Sequence, residues 1–143
     1  MDNSKQNPIK HCHTTVLINN RLREREQFLA SGLFTCFAQA HAQALDRGEF
    51  HGTELRTPIT TQTIVTNGHE MAFFVYQLNT LHLLDDKGCW NRVWIREPSE
   101  LYKRQEEGRH HVFEDAELKN PVDGFNDDAL QLFVKFVHKP VCI

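Results

Sequence analysis

Apolar residues in the middle of the chain form two neighbouring stretches rich in β-branched and aromatic side chains, between Thr57 and Leu84. Asn67-Gly68 separates the two stretches. Asn-Gly between such strands favours a type I′ turn, because both central residues of that turn need positive φ. The sequence therefore predicts an antiparallel β-hairpin across Asn67-Gly68.

The second stretch is apolar at successive positions, which places hydrophobic side chains on both faces of the strand. One face would carry Met71, Phe73 and Val75, and the other would carry the residues between and after them. This pattern predicts a central strand that is covered on both sides. A third strand is predicted at Cys89–Ile95, after a turn ending at Gly88.

A helical pattern precedes the hairpin, from Arg21 to about Arg47. Apolar or aromatic side chains recur there with the spacing of one helical face, at Phe34, Phe37, Ala38, His41 and Leu45. Gly32 is a candidate break between a short, exposed helix and this one, because glycine costs about 1 kcal/mol relative to alanine inside a helix.

A second helix is predicted near the end of the chain. Asn126 is a suitable N-cap, and Asp127 and Asp128 place negative charge at the positive end of the helix dipole. An apolar stripe follows, which we expect to pack on the sheet, at Leu130, Phe133, Val134 and Val137.

These elements indicate the α+β class: a helix, an antiparallel β-meander and a closing C-terminal helix. Residues 1–20 are expected to be an irregular N-terminal segment, and residues 21–143 a single α+β domain. The charged segment Arg96–Asn120 is interpreted as a surface loop.

Composition narrows the classes of function. The 143 residues carry a net charge of −3, so no global positive field draws the chain to nucleic acid. The four cysteines are scattered without a C-x-x-C pair, which favours a reducing compartment. No apolar run reaches the roughly 20 residues of a membrane span. No signal or transit peptide is visible at the N-terminus, which taken alone suggests a cytosolic protein.

The sequence gives little support for catalysis or for metal or cofactor binding. The nine histidines lack zinc-site spacing, and motifs for nucleotide binding or serine nucleophiles are missing, so we expect no cofactor, metal or catalytic residue. A metal-dependent nuclease on a similar fold is an alternative hypothesis. It would draw on carboxylates near the hairpin, namely Glu49, Glu54, Glu70 and Asp85. However, the central strand offers Gln77 and Asn79 where this chemistry needs charged groups.

Two polar features have structural explanations that compete with ligand binding. Gln77, Asn79 and Thr80 end a buried strand, where polar side chains usually satisfy backbone groups. Four arginines are candidates for contact with RNA, although exposed arginines are ordinarily just solvated: Arg21, Arg23, Arg25 and Arg92.

Two motifs resemble the programmed cell death protein 9 family of mitochondrial ribosomal proteins. The first is the hexapeptide YQLNTL, which consists of Tyr76, Gln77, Leu78, Asn79, Thr80 and Leu81. The second is GFNDD, which consists of Gly124, Phe125, Asn126, Asp127 and Asp128. Cys89-Trp90 and the FAQAHAQAL helix at Phe37–Leu45 are also similar to that family.

The resemblance implies a non-catalytic structural component of the large subunit of the mitochondrial ribosome. The family was first counted with the small subunit and was later placed in the large subunit. It implies a location in the mitochondrial matrix, no membrane, and contacts with ribosomal RNA and with ribosomal proteins, including a related large-subunit protein. Family members are about three times longer, so the chain is expected to correspond to their C-terminal part. A cytosolic interaction module derived from the family is a further alternative.

Overall fold

The computed structural model describes residues 13–49, 54–83, 88–104 and 122–139. Its elements are β1 (Thr14–Ile18), α1 (Arg25–Asp46), β2 (Glu54–Thr66), β3 (Glu70–Thr80), β4 (Arg92–Glu100), β5 (Tyr102–Arg104), β6 (Val122–Phe125) and α2 (Asp127–His138). This content confirms the α+β class. The division into an N-terminal segment and one domain stays a prediction.

The main sheet has four strands in the order β1-β2-β3-β4. The β2–β3 and β3–β4 pairs are antiparallel, as the predicted meander requires, but β1 pairs with β2 in parallel. The prediction of irregular structure was therefore wrong for Thr14–Ile18. A five-residue strand of this kind depends on a partner that lies far along the chain, so its local pattern is weak.

The strand β4 is displaced from the predicted Cys89–Ile95. It begins at Arg92 and continues to Glu100, into the charged segment that was interpreted as a loop. The next part of that segment, Tyr102–Arg104, forms β5 and pairs with β6. Charged residues are tolerated in β4 because it is an edge strand with largely exposed side chains. The rest of the charged segment, 105–120, lies outside the described residues.

The connection between β2 and β3 is a tight turn. The Asn67 N–H donates to the Glu70 carbonyl over 3.3 Å, so Gly68 and His69 are the two central residues. This is one position later than the sequence predicts. Gly68 has a φ of +91°, which glycine adopts without strain. The Asn67 side-chain oxygen accepts hydrogen bonds from the N–H groups of His69 and Glu70, at 2.9 and 2.7 Å.

The strand β3 lies between two hydrophobic layers, as predicted from its pattern. On one face, Phe74, Tyr76 and Leu78 belong to the cluster that includes buried residues of α1. On the other face, Phe73 and Val75 pack with Phe136 of α2. Residues Met71 to Leu78 are all buried. The two helices thus cover opposite faces of one sheet.

The helix α1 is continuous across Gly32, and it packs through a different face from the predicted one. The buried face follows a spacing of four residues through small side chains: Gly32, Cys36, Ala40 and Ala44. The predicted face is largely outside the core, since Phe34 is 69% exposed and Leu45 and Ala38 are also exposed. A helix face made of small residues can approach the sheet closely. The hydrophobicity of the sequence alone does not show that this face, and not the more hydrophobic one, is buried.

The helix α2 begins as predicted, because the Asn126 side-chain oxygen accepts from the Ala129 N–H at 3.2 Å. Its packed face is again rotated from the predicted stripe. Ala129 and Phe136 are buried, and Leu132 and Phe133 pack against the same cluster. The other three residues of the predicted stripe are exposed, namely Leu130, Val134 and Val137. The predicted stop at Pro140 lies outside the described residues.

Candidate interaction surface

The hexapeptide Tyr76–Leu81 closes β3, and polar groups of the next loop hold its end. The Asn91 side-chain oxygen accepts from the backbone N–H groups of Asn79 and Thr80, at 2.7 and 3.0 Å. The Asn91 amide in turn donates to the Thr80 carbonyl over 3.0 Å. The Asn79 side chain donates to the Trp90 carbonyl over 2.7 Å. Asn91 is the residue that sequence reasoning missed, because only the fold brings it to the strand end.

The second motif, Gly124–Asp128, connects β6 to α2. Gly124 has a φ of +77°, and Asn126 caps the helix while its amide donates to the Glu100 carbonyl over 2.9 Å. Glu100 lies opposite Glu70 at the start of β3, whereas the hexapeptide lies at the end of β3. The structure therefore does not bring the two motifs together, and their assignment as family motifs with a structural role stays a prediction.

The four candidate arginines do not form one patch. Arg21 and Arg23 precede α1, and Arg25 at its first turn forms an ion pair with Glu97 of β4, with Nε 3.0 Å from a carboxylate oxygen. The hydrogen bond from Arg25 lowers the pKa of Glu97. Arg92 lies at the other end of β4, about 16 Å along the strand from Glu97. All four are exposed, and their contact with RNA stays a prediction.

The carboxylates of the nuclease hypothesis do not converge. Glu54 pairs in register with Thr80 at one end of β3, and Glu70 begins β3 at the other end, roughly 33 Å away for a strand of this length. Asp85 lies outside the described residues. Within the described ranges, no group of three or more histidine, cysteine or acidic side chains is arranged to hold a metal ion.

A cavity of about 310 Å³ lies between the start of α2 and β4. Its charged lining is mixed in sign, with Arg96 and Lys135 alongside Asp128. Such a lining does not select one sign of ligand charge. The buried thiol of Cys36 is also unsuited to chemistry, because burial raises its pKa to about 11 and the reactive species is the thiolate.

Large hydrophobic side chains are exposed at many positions of the described surface. They occur on the outer faces of both helices and along β4. The large ones among them include Leu33, Phe34, Leu45, Trp90, Val93, Trp94, Ile95, Leu130, Val134 and Val137. Where such side chains are contiguous, they mark surfaces that other macromolecules cover. In the described part of the chain, no helix is long and apolar enough to span a membrane.

Comparison with known proteins identifies relatives. A family model described as mitochondrial 28S ribosomal protein S30 (PDCD9) matches residues 16–140. The chain is 34% identical over 102 residues to large ribosomal subunit protein mL37 of Gallus gallus, covering 67% of the chain and 24% of that protein. It is 35% identical over 101 residues to the protein of the same name from Rattus norvegicus, with the same two coverages.

The chain spans about a quarter of the length of these curated relatives, 24% in both cases. The family match, in contrast, extends from within β1 to just beyond α2 and includes both sequence motifs. The resemblance inferred from those motifs is confirmed: the chain belongs to the PDCD9 family of mitochondrial ribosomal proteins.

Proposed function

We propose that this chain is a non-catalytic structural component of the large subunit of the mitochondrial ribosome. The family match over residues 16–140 carries the proposal, and the relatives from Gallus gallus and Rattus norvegicus bear the name of a large-subunit protein. The proposed location is therefore the mitochondrion, within the ribosome. The proposed partners are ribosomal proteins, including a related large-subunit protein, and ribosomal RNA.

The surface supports binding that is mainly to protein. The exposed apolar side chains of α1, β4 and α2 suit contacts with other hydrophobic surfaces. The net charge of −3 and the separation of the candidate arginines limit RNA contact to a few positions. Arg21, Arg23 and Arg92 are the better candidates, because Arg25 is already paired with Glu97.

Sedimentation tests this function directly. The native gene product carries a small tag, and a mitochondrial lysate is run on a sucrose gradient at a magnesium concentration that keeps the subunits intact. We expect the protein in the large-subunit peak, and we expect it to leave that peak when magnesium is chelated and the subunit unfolds. Recovery at the top of the gradient, with the subunits intact, would overturn the proposal and favour a free interaction module.

A further inference from the structure

One face of the edge strand β4 carries a tryptophan between two arginines. Trp94 lies opposite Val75 of β3, and Val75 packs with the cluster under α2. Directly paired residues of antiparallel strands share a face, so Trp94 lies on the α2 side of the sheet. Arg92 and Arg96 are two residues before and after Trp94, and they share its face because side chains alternate along a strand. All three side chains are exposed.

The charges of these two arginines are not neutralised by a neighbouring carboxylate. Glu97 follows Arg96 directly but lies on the other face of β4, where it forms the ion pair with Arg25 of α1. Within the described residues, neither Arg92 nor Arg96 forms an ion pair. The α2 side of β4 is therefore positively charged, and the α1 side is not.

The helix α2 leaves this part of β4 uncovered because it crosses the sheet obliquely. It begins beside β4, where the Asn126 amide donates to a β4 carbonyl over 2.9 Å. Near its other end, the Phe136 carbonyl accepts a hydrogen bond from the Thr14 hydroxyl of β1 over 2.9 Å. Thr14 and Trp94 are the two ends of one row across the four strands, about 14 Å apart. At that row α2 lies beside β1, and Trp94 remains 42% exposed.

The space between α2 and β4 is a cleft with charged walls. The cavity of about 310 Å³ is part of it, lined by Arg96 of β4 and by Lys135 and Asp128 of α2. We name this surface the α2–β4 cleft; it consists of Arg92, Trp94, Arg96, Asp128 and Lys135. The cavity lining alone is mixed in sign, but Arg92 adds a cation farther along β4. The cleft as a whole therefore has three cations against one carboxylate.

We propose that the α2–β4 cleft binds a single-stranded segment of RNA. This inference rests on the proposed function and names the surface that RNA would contact. Proteins that bind single strands combine cations along the phosphate backbone with aromatic rings on which the bases stack. Trp94 would stack on a base, while Arg92, Arg96 and Lys135 would bind phosphates around it.

The spacing of the two arginines favours a strand over a free nucleotide. Arg92 and Arg96 are about 13 Å apart along β4. Successive nucleotides of one strand rise by only about 3.4 Å in a duplex, so a single nucleotide does not extend from one arginine to the other. Stacking on Trp94 also requires a base whose face is free, and free base faces occur in unpaired segments and not inside a duplex.

An acidic protein segment is the competing occupant, and the tryptophan argues against it. Carboxylates would pair with Arg92, Arg96 and Lys135, but they offer no aromatic face to the indole of Trp94. Bases stack on both indole rings and guanidinium planes, so RNA uses every exposed group of the sequence arginine, tryptophan, arginine.

Ultraviolet crosslinking tests the proposal with a control inside the chain. Mitochondria that contain the tagged, full-length native gene product are irradiated, the subunits are separated on a gradient, and the RNA is digested to nucleotides. Trypsin then releases Trp94 in the peptide 93–96 and Trp90 in the peptide 88–92. Trp90 is more exposed, at 65%, but lies outside the cleft. We expect mass spectrometry to find a nucleotide adduct on Trp94 and not on Trp90.

Removal of the two arginine charges provides the second measurement. Arg92→Gln combined with Arg96→Gln should reduce the yield of the Trp94 adduct, per copy of the protein, by about tenfold or more. Arg47→Gln combined with Arg56→Gln removes the same charge at two exposed positions outside the cleft and should leave the yield unchanged. Equal yields in the two double variants would overturn the cleft as the binding surface.

The outcomes separate this inference from the proposed function. The position of the product in the gradient decides the proposed function by itself, and an adduct on Trp94 supports the cleft in any fraction. Absence of the adduct in the large-subunit peak, where other ribosomal proteins carry adducts, overturns the cleft. If the product lies only at the top of the gradient, it is purified and irradiated with total mitochondrial RNA, and absence of the adduct again overturns the cleft. A carbodiimide crosslink from Lys135 to a carboxylate of another protein, without the adduct, would assign the cleft to an acidic segment instead.

Discussion

Gly32 shows how one missing side chain sets the distance between a helix and a sheet. It is buried in α1, directly above the ring of Phe74 in β3. A Cβ added at Gly32 would overlap that ring. Glycine is normally a weak point inside a helix, but here it allows the close packing of α1 on the sheet.

We expect Gly32→Ala to destabilise the chain by about 1–3 kcal/mol, as overpacking does, despite the gain in helix propensity of about 1 kcal/mol. Urea denaturation of the purified chain gives the free energy of unfolding. Phe74→Leu should relieve the overlap, so the double variant should lose less than the sum of the two single variants. A more stable Gly32→Ala chain would show that α1 does not pack closely at this point.

Asn91 offers a second prediction at the level of one side chain. It makes three hydrogen bonds to the backbone of Asn79 and Thr80, whereas the Asn79 amide donates to one carbonyl in a more exposed place. Asn91→Ala should lower the free energy of unfolding by about 2 kcal/mol, because the end of β3 loses its partners. Asn79→Ala should lower it by less than about 1 kcal/mol. Equal effects in the same denaturation assay would contradict this ranking.

The thiol of Cys36 makes the free energy of unfolding depend on pH in the alkaline range. Burial raises the pKa of its thiol from 9.0 to about 11, so between those values the unfolded chain releases a proton that the folded chain keeps. The free energy of unfolding should therefore decrease as pH rises from 9 to 11, and be unaffected by this thiol below that window. Cys36→Ala should weaken the decrease, which denaturation curves at several pH values can measure. Equal slopes in both chains would count against a buried, protonated thiol.

In α2, the face that packs on the sheet differs from the apolar stripe that the sequence predicts. Phe136 is buried, and its ring lies against Phe73 with centroids 5.1 Å apart. Val134 is on the outer side and is exposed. The helix has only 12 residues, so its stability depends on this packing.

Phe136→Ala should destabilise the chain by about 3–5 kcal/mol, because it removes a large buried side chain. Val134→Ala is the control, with an expected loss below about 1 kcal/mol. The half-buried Phe133 should lie between them when changed to alanine. A larger loss at Val134 than at Phe136, in the same unfolding measurement, would mean that the predicted stripe and not the observed face packs on the sheet.

The sequence predicted the elements better than their contacts. Local signals, such as the cap at Asn126 and the double-sided pattern of β3, were sufficient to place α2 and the central strand. The helical spacing of hydrophobic residues selected Phe34 and Leu130 as core residues, because such a pattern ranks positions by hydrophobicity. The helices instead pack through a ridge of small residues in α1 and through Phe136 in α2. Both helices carry two apolar faces, and only the sheet decides which one is buried.

The candidate site was less predictable for the same reason. The family motifs were visible in the sequence, yet the exposed apolar surface combines the outer side of α1 with an edge strand that was misplaced by several residues. Only the register of β4 on β3 shows which face of the sheet Val93 and Ile95 occupy. Asn91 likewise becomes important through contacts that span the loop after β3.

At the scale of the whole molecule, the four-stranded sheet carries one helix on each face within the described residues, and apolar side chains on the outer sides of those helices are exposed. An isolated soluble domain usually limits such surfaces because they promote association. In a member of a ribosomal protein family, neighbouring proteins can cover them instead. The second apolar face of each helix would then contact neighbouring proteins in the assembled subunit.

Two added charges at exposed apolar positions, one on α1 and one on β4, test this view. Phe34→Lys combined with Val93→Lys should change the free energy of unfolding by less than about 1 kcal/mol, because both side chains are substantially exposed. Burial of two lysines against apolar groups of neighbouring proteins should nevertheless reduce the large-subunit fraction by about tenfold or more, which corresponds to about 1.4 kcal/mol. Quantitative immunoblotting of gradient fractions measures that fraction.

The matched control adds the same charge away from the exposed apolar positions, through Thr57→Lys combined with Gln131→Lys at two exposed polar positions. This chain should enter the large subunit as the unaltered chain does. Equal losses in both variants would assign the effect to net charge. Full incorporation of the variant with lysine at both apolar positions would instead show that Phe34 and Val93 remain in contact with water in the subunit. In that case the uncharged side of α1 would need an explanation within the chain itself, such as a requirement of folding.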